Sequence, residues 1–472
     1  MKKVIYMNKS ERLGLDNVGK LLLNFSIPAI IGMLVNALYN IVDRIYIGNI
    51  SNGIGAKALA GVGITLPIAT IIMAFGMLVG IGSSTLISIK LGENNKEYAE
   101  EILGQALILD IIISIFISIV GLIFLTPLLK LFGAEGDNLF YAKEYIAIIL
   151  GGSIFQNLGF GINNIIRSEG NPKIAMRTMI VGALLNIILD PIFIFDSIFN
   201  LKIGLGLGIK GAAIATIISS AVNTILVLHY FISKNSGSTL KFRKRHLKLT
   251  FKTSVDIFAI GLSPFAMQIA NSIVVALYNK GLLTYGGNDA VAAMSIITSI
   301  STIIFMPIFG INQGVQPILG YNYGAKLFSR VKKAIKLAII SGIALASIGF
   351  IAVEFFPDIL FSAFAKDAPN LIKLGSHGIR IDLILLPLVG YQIVTSNYFQ
   401  AIGKAKISIF LSFLRQVIVL IPLICILPKF LQLDGIWLSQ PIADIAATLI
   451  TSYFFIRDIK LINKTEHSYI EE

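Results

Sequence analysis

Several carboxylates stand inside long apolar segments of this sequence. The segment LVNALYNIVDRIYIG (34–48) contains Asp43, and GALLNIILDPIFIF (182–195) contains Asp190. If these segments cross a membrane, each charge costs on the order of 3 kcal/mol unless a partner, water or a proton compensates it. Asp43 and Asp190 therefore predict a site that exchanges a proton or binds a small cation.

The composition indicates a protein that crosses a membrane many times. Of its 472 residues, 55% are hydrophobic and 14% are charged, and the mean hydropathy is +0.82. A soluble chain carries about 25% charged residues. Many apolar runs reach the roughly 20 residues that an α-helix needs to span hydrocarbon. Alternating segments of about ten residues, typical of a membrane β-barrel, do not occur.

Twelve apolar segments predict an all-α integral membrane protein with twelve transmembrane helices. We place these helices at residues 20–46, 58–88, 102–131, 139–166, 174–195, 210–233, 254–284, 290–320, 333–356, 370–400, 405–428 and 435–457. The predicted organisation is a cytoplasmic N-terminal tail (1–19), a six-helix bundle (20–233), a cytoplasmic linker (234–253), a second six-helix bundle (254–457) and a cytoplasmic C-terminal tail (458–472). The first helix is expected to act as its own insertion signal.

The distribution of Lys and Arg favours one orientation in the membrane. With the N-terminus inside, the inner segments hold 27 of the 39 Lys and Arg residues, and the outer loops hold 10. Because basic residues are retained on the cytoplasmic side, we expect both termini inside a bacterial cytoplasmic membrane. The basic run KFRKRHLK (241–248) is interpreted as a topology signal or a contact to anionic lipid rather than a nucleic-acid surface.

The two halves of the chain resemble each other weakly, which predicts two pseudo-symmetric bundles. FSIPAIIGMLVNALYN (25–40) matches IGLSPFAMQIANSIVVALYN (260–279) in its early proline and its ALYN ending. RSEGNPKIAM (167–176) likewise matches QAIGKAKISI (400–409). Each half has an even number of helices, so both halves enter from the same side and the repeat is parallel. Such a repeat predicts a substrate cavity between the halves and alternating access.

Polar side chains from four helices of the first half are predicted to reach one depth. Asp43 and Asp190 lie about five and six residues before the outer ends of their helices, roughly 8 and 9 Å deep. Tyr145 and Thr216 lie about six residues into helices that return from outside, and Asn186 is one turn from Asp190 on the same face. These groups could share a proton, or hold Na⁺ at Asp43, Asn186, Asp190 and Thr216. The alternatives are hydrogen bonds that only stabilise the bundle, and an interfacial position for Asp43.

Other charged residues within the spans have different interpretations. Arg415 and Asp444 fall near the midplane on consecutive helices, which favours a structural ion pair over a transport role. Asp110 lies about eight residues into its helix and has no evident partner. Asp382 and Glu354 lie near outer helix ends and are expected to reach water.

A substrate cavity is predicted from polar, aromatic and methionine side chains of both halves. The candidate residues are Asn36, Tyr39, Met73, Gln268, Asn271 and Met294. A methionine-rich, aromatic lining suits bulky organic ligands. Ordinary packing against lipid or core is the alternative for each methionine.

Signals of catalysis are absent from the sequence. The four histidines do not cluster, and there is no HExxH motif, P-loop or GxSxG motif near a histidine. The one cysteine, Cys425, excludes an internal disulfide and a cysteine zinc site. We expect neither enzymatic activity nor a cofactor, and transport would then be driven by an ion gradient.

The motifs, taken in order, resemble those of the multidrug and toxic compound extrusion (MATE) transporters. Pro28 and Asp43 stand fifteen residues apart in the first helix, and the remaining motifs are IRSEGNPK, NIILDP on the fifth helix, GAAIAT on the sixth and QAIGK after the tenth. Within the family, the sequence is similar to the branch of the DNA-damage-inducible F proteins and the staphylococcal MepA-like pumps. The resemblance covers nearly the whole chain.

This resemblance implies efflux of cationic or amphiphilic organic compounds in exchange for H⁺ or Na⁺. It places the cation site of the family on Asp43, Tyr145, Asn186, Asp190 and Thr216, and a helix-bending proline on Pro28. The expected partners are small organic cations and the lipid bilayer, without nucleic acid, and the protein is expected to be a monomer. A lipid-linked saccharide flippase of the same broad superfamily is the alternative, which the scarcity of Arg and Lys in the spans disfavours. An integral-membrane acyltransferase is disfavoured because no cluster of His and Asp is found.

Overall fold

The structure is a computed structural model that describes residues 10–50, 54–197, 204–233, 235–364 and 368–471. Residues 1–9 of the predicted N-terminal tail and residue 472 of the predicted C-terminal tail lie outside the described residues. Within the described ranges, the chain forms helices with short connections and contains no β-strand. The predicted all-α fold is confirmed.

The helices follow one another along the whole chain. Those of the first part are α1 (Arg12–Leu15), α2 (Val18–Gly48), α3 (Ile54–Gly92), α4 (Lys96–Ile123), α5 (Leu125–Leu131), α6 (Gly136–Gly151), α7 (Ser153–Ser168), α8 (Pro172–Ile194) and α9 (Ile209–Ile232). Those of the second part are α10 (Phe251–Gly324), α11 (Phe328–Phe355), α12 (Pro357–Ser362), α13 (Pro369–Asp382), α14 (Leu386–Ala401), α15 (Ala405–Phe413), α16 (Ile421–Ile426) and α17 (Pro428–Glu471). A 3₁₀ turn (Lys244–His246) lies between α9 and α10, and a π-helical segment (Leu414–Leu420) joins α15 to α16.

The helices are long and apolar enough for a membrane protein. Eight described helices meet the length and hydropathy of a membrane span, or ten if each of two bent pairs is one span. α10 is broken at Gly287, where φ is +67°, and its two arms hold the predicted helices 254–284 and 290–320. α17 is broken at Gln432 and holds the predicted helix 435–457. The twelve predicted segments correspond to described helices, but four of them contain a break: 102–131 at Phe124, 139–166 at Gly152, 370–400 between α13 and α14, and 405–428 at Leu427.

The two halves repeat the same order of helices. α6 and α7 form a pair bent by 52° at Gly152, and α13 and α14 form a pair bent by 49°. α7 and α14 each have 16 residues, and α4 and α11, which precede these pairs, each have 28 residues. The weak sequence repeat therefore corresponds to a repeat in the structure.

The chain divides into two compact units. Of the described residues, the first unit comprises those up to Arg12 and Ile31–Phe265, and the second comprises Leu13–Ile30 and those from Ala266 onward. The division crosses α2 after Ile30 and α10 after Phe265. The predicted bundles (20–233 and 254–457) assigned each of these helices to one half, and the two units differ from them in this respect.

Glycines allow the helices of each unit to approach closely. Helices in a membrane associate by close packing, since lipid tails are as apolar as leucine side chains. In the first unit, a Cβ on Gly80 of α3 would lie 2.6 Å from Gly161 Cα of α7. In the second unit, a Cβ on Gly390 of α14 would lie 2.6 Å from the carbonyl oxygen of Gly342 of α11. Since no side chain fits at these contacts, they fix the positions of neighbouring residues.

The described part of the linker packs on the first unit instead of extending away from it. Arg243 forms an ion pair with Glu100, and Arg245 Nη2 lies 2.7 Å from Glu97 Oε1. Both glutamates lie in the first two turns of α4. The buried Glu169 carboxylate, which follows α7, accepts hydrogen bonds from the linker as well. The linker is therefore part of the fold of this unit.

Candidate functional site

Two helices of the first unit place three polar side chains in hydrogen-bonding contact. Asn186 Nδ2 of α8 donates to Asp190 Oδ1 at 3.0 Å and lies 3.5 Å from Thr216 Oγ1 of α9. Asn186 and Asp190 share a face because they are one helical turn apart. Both are buried, so neighbouring protein groups, rather than bulk water, determine the charge of the Asp190 carboxyl.

Asp43 of α2 belongs to the same site. Its side chain is 7% exposed, and its Oδ1 atom has no hydrogen-bond partner among the described residues. The charge of Asp43 acts on Asp190, and both carboxyls act on Tyr39 and Tyr145. The structure thus brings together all the residues that depth along the helices had selected: Asp43, Tyr145, Asn186, Asp190 and Thr216. Their role in coupling stays a prediction.

The site has more hydrogen-bond acceptors than donors. Asp43 Oδ1, Asp190 Oδ2 and Asn186 Oδ1 are all buried, and none has a hydrogen-bond partner in the described part of the chain. Oxygen atoms in such a group suit a small hard cation. Two interacting carboxyls can instead share a proton, in which case they titrate as a pair. The geometry therefore suits H⁺ and Na⁺ alike.

A second group of charged residues lies in the second unit. Arg415 Nε donates to Asp444 Oδ1 at 2.8 Å, and Gln440 Nε2 lies 3.3 Å from both oxygens of Asp444. The carboxylate thus has hydrogen-bond donors in addition to its cation, which is the arrangement that stabilises a buried pair. Asp382 and Tyr278 interact electrostatically with this pair.

The expectation that Asp382 reaches water is wrong. Its side chain is 6% exposed, and its Oδ1 atom has no hydrogen-bond partner among the described residues. Asp382 is the last residue of α13, where the chain bends by 49° into α14. A bend inside a span places this helix end within the bundle rather than at its surface. Glu354, by contrast, is partly exposed.

Comparison with known proteins identifies the family. The MatE family model matches residues 28–192 and 263–426, one segment in each half of the chain. The chain belongs to the MatE family. It is therefore a membrane transporter, and the predicted resemblance is confirmed.

Relatives of this MatE transporter match it over nearly its full length. It is 28% identical over 438 residues to the multidrug export protein MepA of Staphylococcus haemolyticus (strain JCSC1435), and this match covers 93% of each chain. It is 39% identical to the solved MATE multidrug transporter DinF-BH, with a TM-score of 0.86 over 96% of this chain and 98% of that one. A solved MATE structure in the bent conformation is 28% identical, with a TM-score of 0.88 over 97% of this chain and 99% of that one.

The predicted cavity residues of this MatE transporter differ in exposure. Asn36, Met73 and Asn271 are exposed, whereas Tyr39, Gln268 and Met294 are partly buried. Asn40 Nδ2 donates to Asn36 Oδ1 at 3.0 Å, so two exposed amides lie together on α2. An exposed polar side chain on a membrane helix faces water or a ligand more favourably than lipid. The role of Asn36 and of Asn271 in substrate binding stays a prediction.

Sequence reasoning missed a row of exposed hydroxyls on the second arm of α10. The row consists of Ser295, Thr298, Ser299 and Thr302. Each hydroxyl donates to the carbonyl four residues earlier, which leaves its oxygen free to accept a hydrogen bond from a ligand. The spacing of three and four residues in SIITSIST (295–302) was the available signal, because it places the hydroxyls on one helix face.

Proposed function

We propose that this MatE transporter is a secondary active antiporter that exports multiple drugs, with cationic or amphiphilic organic compounds as substrates. The coupling ion is H⁺ or Na⁺, and transport proceeds by alternating access. The observation that carries this proposal is the buried pair of carboxyls, Asp43 and Asp190, on two helices of one unit. The relatives MepA and DinF-BH, described as a multidrug export protein and a multidrug transporter, support the substrate class.

The carboxyl pair gives a way to couple the ion to movement. With both carboxylates ionised, Asp43 of α2 and Asp190 of α8 repel each other in a site that excludes water. A proton or Na⁺ removes this repulsion and lets α2 move closer to α8. Such a change is driven only by the difference in affinity of the two conformations for the ion. A cationic substrate needs the negative charge of the pair, so ion binding releases the substrate.

Pro28 gives α2 a point at which to bend. It lies within the helix, where its ring removes a backbone hydrogen bond and leaves the carbonyl four residues earlier without its helical donor. The division between the two units crosses α2 two residues later, after Ile30. Movement of the Asp43 segment relative to the start of α2 therefore needs a change at only a few residues.

Everted vesicles or proteoliposomes with ethidium as reporter test the proposal. A proton gradient and a Na⁺ gradient are imposed separately on the wild type, Asp43→Asn and Asp190→Asn. Asp137→Asn is the matched control, since Asp137 is an exposed carboxylate paired with Lys57. We expect one gradient to drive ethidium movement in the wild type and the control, and at least a tenfold loss in Asp43→Asn.

Two outcomes contradict this proposal. Movement that survives Asp43→Asn unchanged would show that coupling does not depend on this carboxyl. No movement of ethidium by folded wild-type protein under either gradient would reject this substrate class, and assays with a lipid-linked saccharide would then take precedence.

A further inference from the structure

A second buried carboxyl of the first unit lies apart from the coupling pair. Asp110 of α4 is 1% exposed, and its Oδ2 atom has no hydrogen-bond partner among the described residues. This oxygen faces α7, where a Cβ on Gly161 would lie 2.5 Å from it. The absence of a side chain at Gly161 therefore makes the space that the carboxyl occupies.

The contact between α4 and α7 continues with polar groups one turn further along both helices. Asn157 Nδ2 of α7 donates to Ser114 Oγ of α4 at 3.0 Å. Another turn along α7, Ser153 Oγ lies 3.4 Å from the carbonyl oxygen of Ser114. Asp110 and Ser114 share one face of α4, and Asn157 and Gly161 share the opposing face of α7. Asp110 is thus the last member of a row of polar groups along the contact between two membrane helices.

The second unit contains the same helix contact without an acid. Asp110 is the fifteenth residue of α4, and Gly342 is the fifteenth residue of α11. Gly161 is the ninth residue of α7, and Val394 is the ninth residue of α14. A Cβ on Gly342 would lie 2.8 Å from Val394 Cγ2. A glycine and a valine therefore fill the position that an aspartate and a glycine fill in the first unit, and packing does not require the carboxyl.

The surroundings of Asp110 favour its neutral form. Burial disfavours the charged form of this carboxyl, and its Oδ2 atom has no hydrogen-bond partner among the described residues that would offset this cost. An ionised carboxylate without a cation in a site that excludes water is strongly disfavoured. The carboxyl can lose its proton only when water or a cation reaches it, which requires α4 and α7 to separate.

We propose that Asp110 is a second proton-binding residue of the first unit, neutral in this conformation and deprotonated when α4 and α7 separate during transport. This inference rests on the proposed function, in which the transporter alternates between conformations. α7 continues from α6 through the 52° bend at Gly152, and α6 carries Tyr145 of the coupling site. The chain thus runs without a loop from the coupling site through α6 and the bend to the contact at Gly161, and we propose that a change at Tyr145 reaches Asp110 by this route.

Infrared spectroscopy of the purified protein tests the neutral form independently of transport. A protonated carboxylic acid has a carbonyl stretch that a carboxylate lacks. We expect a band of this kind at neutral pH in the wild type and in Asp43→Asn, and the loss of one component of it in Asp110→Asn, while the components of other protonated carboxyls remain. The same spectrum in wild type and Asp110→Asn would overturn the proposal. This test stands even if ethidium proves not to be a substrate.

A variant in which Asp110 and Gly161 are replaced by the glycine and valine of the second unit tests whether the Asp110 carboxyl takes part in transport. The double variant Asp110→Gly/Gly161→Val introduces the glycine and valine of the equivalent contact. The single variant Gly161→Val is expected to destabilise the fold, because its side chain would clash with Asp110. With the double variant folded and its melting temperature near that of the wild type, we expect gradient-driven ethidium transport to fall at least tenfold. Asp110→Asn should show the same loss with less change in packing. Wild-type rates in both variants would show that the carboxyl only fills space and would overturn the proposal.

Discussion

More hydrogen-bond acceptors than donors surround Asp190, and this excess determines which ligands the coupling site can bind. Asn186 uses its amide nitrogen on Asp190 and Thr216, and its own oxygen remains without a donor among the described residues. An unsatisfied buried acceptor costs about 1–3 kcal/mol, and more when it is charged. One proton can join two of these oxygens, and one Na⁺ can coordinate several of them at once. This excess of acceptors supports the proposal that the site binds a cation.

Glu169, which lies outside the membrane-spanning helices, predicts how the stability of the protein depends on pH. This buried carboxyl accepts hydrogen bonds from Ser238 Oγ at 2.9 Å, from Leu240 N at 3.3 Å and from the hydroxyl of Tyr230. Burial nevertheless raises the pKa of Glu169 above its ordinary value of 4.5. The folded protein then holds this proton more tightly than the unfolded chain, so the group contributes its full stability below pH 4.5 and loses it as the pH rises through the folded pKa.

The measurement is the melting temperature of wild type and Glu169→Gln in detergent from about pH 4.5 upward. The amide of the variant cannot titrate, so we expect the wild-type melting temperature to fall relative to the variant by about 1–3 °C as the pH rises. Glu97→Gln serves as control, since Glu97 is exposed in its pair with Arg245. A difference that grows in favour of the wild type with rising pH would contradict the prediction.

At the scale of helices, the approach of α3 to α7 predicts an effect of a single methyl group. Gly80→Ala places a Cβ 2.6 Å from Gly161 Cα, so a backbone must shift, and overpacking of this kind costs about 1–3 kcal/mol. Gly63→Ala on the same helix is the control, because a Cβ there has no atom within 4 Å. We expect Gly80→Ala to lower the melting temperature by several degrees and Gly63→Ala to leave it unchanged or raise it. Equal effects would show that the contact is not tight.

Two prolines predict where α2 and α10 bend. The division between the units follows Pro28 by two residues and Pro264 by one residue, and the sequence repeat matches these prolines to each other. Alanine restores the missing backbone hydrogen bond and stiffens the helix. We expect Pro28→Ala and Pro264→Ala each to lower ethidium transport about tenfold without lowering the melting temperature.

Pro67→Ala is the matched control, since Pro67 lies inside α3, which belongs wholly to the first unit. Its transport rate should stay within about twofold of the wild type. A loss in Pro67→Ala as large as in the other two variants would point to a general effect of removing helix prolines.

The sequence predicted those features that follow from the regularity of helices. A constant rise of about 1.5 Å per residue converts distance from a helix end into depth, which brought Asp43 and Asp190 together. The same counting was not carried through at Asp382, which lies twelve residues into the predicted helix 370–400, a depth of about 18 Å that already places it well inside the span. The bend between α13 and α14 was not predicted either. Pro387, at the start of α14, was the local signal of that bend. The attachment of the linker through Glu169 depends on contacts between distant segments, and no local pattern predicts it.

At the scale of the whole molecule, one helix arrangement serves two halves with different chemistry. The lengths and bends of their helices repeat, so the same backbone contacts form twice. The first unit places Asp43, Asp110 and Asp190 in this framework, whereas the second places Asp382, the ion pair of Arg415 and Asp444, and a glycine–valine contact at Gly342 and Val394. An ion that binds the first unit therefore changes the charge of one half while the other keeps its own. This difference between the two halves gives the ion a way to favour one conformation of the transporter.

The orientation of the whole molecule is predicted from its basic residues. Because 27 of 39 Lys and Arg residues lie in segments predicted to be inside, we expect Lys248 on the cytoplasmic side and Asp137 on the outside. Single cysteines at these positions, in a Cys425→Ser background, can be labelled with a membrane-impermeant maleimide. Intact cells should label Asp137→Cys and not Lys248→Cys, and everted vesicles should reverse this result. Labelling of Lys248→Cys in intact cells would show the opposite topology and contradict this prediction.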